Sequence, residues 1–113
     1  MMTNQLAKDL RAAKALIDTP EKWCKLSVAE DANGNPVDPE SSQACCFCSH
    51  GAVRRATRST YERLAAFKAL EQATPRPWWH RTSNVTSFND HPYATHADVM
   101  ALFDRAIAAV EDA

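Results

Sequence analysis

The stretch "QACCFCSHGA", residues 43–52, holds three of the chain's four cysteines and one of its four histidines. Thiolates and imidazoles are the donors that zinc selects, and a thiolate beside an imidazole is also the pairing of a cysteine nucleophile. Read as a helix, the stretch places Cys46 and His50 four residues apart on one face, a usable pair of ligands. Zinc wants four ligands, and no second spaced pair follows, because Cys24, His80, His91 and His96 are isolated in the sequence. Cys46 and His50 are therefore the weaker, metal reading, and no metal or other cofactor is expected. A catalytic thiol would need Cys48 near His80 or His91, oriented by Asn89 or Asp90, and only the residue types speak for it.

Packing accounts for the same stretch more simply. Ala44, Cys48, Gly51, Ala52 and Ala56 make a stripe of small residues at helical spacing, in which cysteine acts as a small apolar residue. Glycine inside a helix costs about 1 kcal/mol relative to alanine. Gly51 thus implies close approach of another backbone or of a large ring, such as Trp23 or Phe103.

Two further stretches carry chemistry. "PRPWWHR" brings Arg76, Trp78, Trp79, His80 and Arg81 together, with Arg54, Arg55 and Arg58 upstream. Arginines interleaved with aromatics stack bases and hold phosphates, and the same composition makes hot spots between proteins. The plainer alternative is that the tryptophans pin a loop onto the core, one buried and one partly exposed. "FNDHP" places Asn89 and Asp90 just before a final helical segment, where such side chains satisfy backbone amides in turns. A polar pocket with Asp90 as acid, base or ligand is the functional alternative, although a lone carboxylate specifies no reaction.

The elements that must position these residues are mainly helical. The 113 residues suit one domain over 1–113, with 45% apolar and 24% charged residues and only two glycines. Leu6, Leu10, Ala13, Leu16 and Ile17 recur at three- and four-residue steps and predict a helix over 3–18, closed by Pro20. Asn33-Gly34 predicts a turn within a possible small β-ribbon after that helix. A second helix is expected over 41–57, capped at Asp38, Ser41 or Ser42, and a third over 60–73 after Ser59 and Glu62. Tyr61, Leu64, Ala65, Phe67 and Leu70 cover a wide arc of that third helix, which should be well buried. One long ordered loop, residues 74–94, then leads to a fourth helix over 96–112, capped by Thr95 with Asp98. The expected core is Leu10, Leu16, Ile17, Leu64, Phe67, Val99, Leu102, Phe103, Ile107 and Val110.

Charge is uneven along the chain. Residues 27–53 hold four acids and no lysine or arginine, whereas residues 54–81 hold seven basic against two acidic side chains. The net charge of −1 favours neither nucleic acid nor membrane for the molecule as a whole. No signal peptide or membrane-length apolar run is visible, so a cytoplasmic location with reduced thiols is expected.

Taken in order, Trp23, "GNPV" (34–37), "CFCSHGAVRRA" (46–56), "FND" (88–90) and "DVMALFDRAI" (98–107) resemble a family of small bacterial and bacteriophage proteins of unknown function. The resemblance runs from about Leu10 to Val110. Its pattern falls on Trp23, Cys48, Gly51, Ala52, Asn89 and Asp90, and implies a structural or pocket role for them. Cys45 and Cys46 lie outside it, which argues against a metal site shared by the family. The resemblance implies an architecture and brings no activity. The expectation is a mainly α, four-helix accessory protein that acts by binding rather than catalysis, through Arg54, Arg55, Arg76, Trp78, Trp79, His80 and Arg81. Its partner would be another protein or a second copy, with no membrane. A nucleic-acid-binding factor using the Arg/Trp loop, and a metal- or thiol-dependent enzyme centred on Cys48, are the alternatives.

Overall fold

The computed structural model describes residues 2–112, with side chains from Gln5 onward. Helix α1, Met2–Leu16, carries the predicted apolar stripe inward and ends two residues early, before a 3-10 turn at Pro20–Lys22. Two-residue strands β1 (Ala29–Glu30) and β2 (Cys46–Phe47) follow, then α2 (Ser49–Ala56), α3 (Thr60–Ala73), α4 (Val85–Asp90) and α5 (His96–Glu111). The architecture is mainly helical with a small antiparallel sheet, and among the described residues four of the five α-helices have eight residues or more. No helix among the described residues is long and apolar enough to cross a membrane.

α5 packs against both α1 and α3. Val99, Leu102, Phe103, Ala106 and Ile107 line its buried face, and Thr95 with Asp98 forms the reciprocal capping box that starts it. α1 packs on α5 and α2, and α3 packs on α5. Leu10 and Ala13 from α1 and Ile17 just after it complete this core, and Lys14 of α1 reaches Asp104 of α5 at 2.6 Å.

Three expectations need correction. The second helix begins at Ser49, not residue 41. Asp38 Oδ1 takes the Glu40 amide and Ser41 Oγ takes that of Gln43, so short polar side chains hold 38–44 in turns instead of a helix. Cys46 and Phe47 then pair with β1, in the register Ala29↔Phe47 and Glu30↔Cys46. The β-ribbon thus draws its second strand from the cysteine stretch. The Asn33-Gly34 turn exists as well, with Gly34 at φ +82°, and returns the chain to an isolated bridge between Glu30 and Pro36.

The second correction concerns α3, which is less buried than its composition predicts. Leu64 is 62% exposed and Tyr61 is exposed too, whereas Ala66 and Leu70 face the core and Phe67 is half-buried. Apolar residues all round a helix state that it has several apolar faces, not which one the fold covers. Third, the long loop contains α4, a short helix capped by Asn84 Oδ1 on the Ser87 amide at 2.8 Å. Its Phe88 and Val85 enter the core, as Val53 does from α2.

Gly51 meets its expected close neighbour, and that neighbour is backbone. A β-carbon there would lie 1.8 Å from the carbonyl oxygen of Val28, which itself accepts the Cys48 amide at 3.2 Å. Any side chain at Gly51 must push β1's approach away from the start of α2. We predict that Gly51→Ala lowers unfolding free energy by about 3 kcal/mol or more in urea titration, at the upper end of overpacking costs. Gly34→Ala, with nothing near its β-carbon but a left-handed backbone, should lose only about 1 kcal/mol.

Candidate functional site

The residues on which the family-like pattern falls converge at one point. Asn89, the penultimate residue of α4, is fully buried, and its carboxamide makes five hydrogen bonds. Oδ1 accepts from Trp23 Nε1 at 2.7 Å, the Ser49 amide at 3.0 Å and the Ser49 hydroxyl at 2.8 Å. Nδ2 donates to the Cys24 carbonyl at 3.1 Å and to Asp90 Oδ1 at 2.8 Å. Indole and amide N–H groups can only donate, so the atom between them must be oxygen, which orients the side chain.

Asp90 extends the junction. Its Oδ1 also accepts the Leu26 amide at 2.9 Å, holding a non-glycine residue in the left-handed region at φ +71°. Lys25 Nζ donates to the His91 carbonyl at 2.6 Å. Every polar atom of the Asn89 carboxamide is used to lock the segment 23–26 and the start of α2 onto α4. The chemistry of "FND" here is structural: a hub of buried hydrogen bonds.

Cys48 belongs to the same junction. It caps α2, its sulfur accepting the Gly51 amide at 3.4 Å, and burial pushes its thiol pKa up. His80 bonds Ser87 Oγ at 2.8 Å, and the His91 ring packs on Trp79 with centroids 4.6 Å apart while its Nδ1 accepts the Tyr93 amide at 3.0 Å, so both imidazoles have partners within residues 79–93. The Cys46–His50 pair does not form on one helix face. Cys46 lies on β2, and His50, on α2, stacks on Phe67 at 4.6 Å with its pKa lowered by burial.

The sheet register brings a different set of donors together. Glu30 and Cys46 are directly paired across β1 and β2, and the Cys24 amide donates to the Phe47 carbonyl at 3.0 Å. One donor atom from each of Cys24, Glu30 and Cys46 then lies within 4.8 Å of the others. The Cys46 thiol donates to Glu30 Oε1 at 3.7 Å and the Cys24 thiol to the Ser27 carbonyl at 3.4 Å. Burial raises the pKa of both thiols. Spacings of six and sixteen residues hide this trio in the sequence, and only the strand register could have revealed it.

The arginine- and tryptophan-rich residues separate in space. Arg55 donates to the carbonyls of Pro39 and Ser41 at 2.8 and 2.9 Å, and Arg54 stands 3.8 Å from Asp38, so both serve the turns before β2. His80 is buried. Trp79 stacks on Phe88 at 5.4 Å and pins the loop. Trp78, 76% exposed, meets the edge of Tyr93, itself 57% exposed, at 5.5 Å, and Arg76 and Arg81 are exposed beside it in sequence. Tyr93 was not expected at this surface, since its partner lies fifteen residues away. Below Trp79 an open groove of about 500 Å³ is lined by Pro75, Arg76, Pro77, Phe88, Asp98 and Arg105.

Residues 1–109 match the family of unknown function DUF6197, and the chain belongs to it. No curated protein and no solved structure matches the chain.

Asn89→Ala strands the indole N–H, the Ser49 amide and the Cys24 carbonyl at the cost of about 1–3 kcal/mol for each group that stays dry. A loss of roughly 3 kcal/mol or more in denaturant unfolding is expected; Asn89→Asp should also destabilise, increasingly as pH rises past about 4, because the second oxygen faces the Cys24 carbonyl and the Asp90 carboxylate. In the native protein, exposed Cys45 should react first with an alkylating reagent and buried Cys48 last, followed by mass spectrometry of peptides.

Proposed function

We propose that this chain is a binding module that docks a protein partner on the face formed by Trp78 and Tyr93. The exposed Trp78–Tyr93 pair carries the reading. Two large aromatics held edge to face beside arginines, over a loop already anchored by Trp79, have the composition of an interface hot spot. Because Trp79 stacks on Phe88, Trp78 is presented from an ordered loop, and less entropy is lost on binding.

The adjoining groove suggests the partner's character. Its lining combines Pro75, Pro77, Trp79 and Phe88 with Arg76, Arg105 and Asp98, so apolar surface and both signs of charge meet there. That mixture suits a peptide segment with an aromatic or proline anchor and an acidic side chain. It suits a nucleic-acid backbone less well, since Asp98 opposes phosphate and Arg54 and Arg55 are occupied elsewhere.

The test is capture of a defined partner by the full chain and by Trp78→Ala/Tyr93→Ala, with circular dichroism to establish that both are folded. A hot-spot truncation should weaken binding at least about 30-fold, the equivalent of about 2 kcal/mol. Equal affinity of the two proteins for the same partner would overturn the reading. A partner that proves to be nucleic acid, its affinity falling steeply with salt, would replace it.

A further inference from the structure

We infer that Cys24, Glu30 and Cys46 form a binding site for a thiophilic divalent cation of the zinc type, with one coordination position open. The three donors come from separate positions in the chain and are brought together by backbone pairing and by the Asn89 carboxamide. Glu30 and Cys46 face one another across the β1–β2 ladder, where paired β-carbons are about 5 Å apart on one face of the sheet. Cys24 is held beside them by its amide bond to Phe47 and by the Asn89 contact to its carbonyl.

The spacing fits the ion. Zinc–sulfur and zinc–oxygen bonds of about 2.3 and 2.0 Å at tetrahedral angles place sulfur and oxygen about 3.5 Å apart, and two sulfurs about 3.8 Å apart. Cys46 Sγ and Glu30 Oε1 already stand 3.7 Å apart, and all three donors lie within 4.8 Å of one another. Small rotations of the Cys24 and Glu30 side chains therefore close the set without moving backbone. Two sulfurs exclude calcium and magnesium, which prefer oxygen donors.

Local charge favours a cation. Residues 27–53 carry Glu30, Asp31, Asp38 and Glu40 and no lysine or arginine, and of these Asp38 is paired with Arg54. Lys25, the nearest basic residue in sequence, has its ammonium on the His91 carbonyl. Binding replaces two S–H bonds with two metal–sulfur bonds, releases two protons and leaves the carboxylate as the third ligand. The site then carries a net charge of −1, and water takes the fourth position, as at open three-ligand centres.

This site is independent of the Trp78 face, and so is its test. The full-length protein, reduced with a phosphine, is titrated with Zn²⁺ against a chromophoric chelator and separately with Co²⁺, whose thiolate charge-transfer bands report sulfur ligation. One ion per chain, with those bands and a higher melting temperature, is the expected result. Cys24→Ser and Cys46→Ser should each weaken binding by more than about 100-fold, beyond the loss usual for groups outside the ligand shell. Glu30→Gln, which keeps the side chain's shape and guards against misfolding as the explanation, should weaken it at least about tenfold. Cys45→Ser, an exposed neighbour, should bind as wild type. Absence of stoichiometric binding, or binding that survives Cys24→Ser and Cys46→Ser but fails in Cys45→Ser, would overturn the site.

Discussion

A single buried carboxamide sets the geometry on which the cysteine-rich half of the molecule depends. Asn89 bonds the indole of Trp23, the backbone of Cys24 and the first residue of α2, tying α4 to two segments far from it in the chain. A buried amide left unsatisfied is costly, and a fully satisfied one admits few alternative arrangements. Its five bonds therefore specify the position of residues 23–26 relative to α2 more sharply than apolar contact would. The carbonyl of Val28 pressing on Gly51 is the packing counterpart of the same constraint.

The four cysteines show how position divides one residue type among several roles. Cys48 is a dry helix cap, Cys45 is exposed, and Cys24 and Cys46 share a partly buried space with Glu30. The difference arises from where the strand ends and the helix starts. β2 stops at Phe47, the cap falls on Cys48, and alternation in the strand turns Cys46 toward Glu30. Had the stretch been one continuous helix, Cys46 and His50 would have shared a face, and the trio would not exist.

The basic segment is divided in a similar way. Arg54 and Arg55 brace the turns at 38–41, which lack helical hydrogen bonds of their own. The loop after α3 instead turns one tryptophan inward and one outward. Trp79, stacked on Phe88 and in tilted contact with His91, supplies the anchor that lets the neighbouring Trp78 stay in solvent at a defined place. Stability and the proposed docking face thus rest on adjacent residues of opposite burial.

Local pattern alone determined much of the scaffold. The periodicity of α1 and α5, the Ser59 and Thr95 caps, the Asn33-Gly34 turn and the need for something close to Gly51 are written in spacings of four residues or fewer, because helices and turns are closed by near neighbours. The family-like positions Trp23, Cys48, Gly51, Asn89 and Asp90 were legible as a set, but not as one junction, since the hydrogen bonds from Asn89 to Trp23 and Ser49 span 66 and 40 residues. Leu64, expected in the core, is exposed, because an all-round apolar helix does not reveal which side is covered. The helical reading of 41–48 failed because the competing partner, β1, lies sixteen residues upstream of Cys46. Tertiary structure decided the strand register, the fate of each cysteine and the separation of the arginines from Trp78. Each of those outcomes depends on a contact between distant segments, which no local preference encodes.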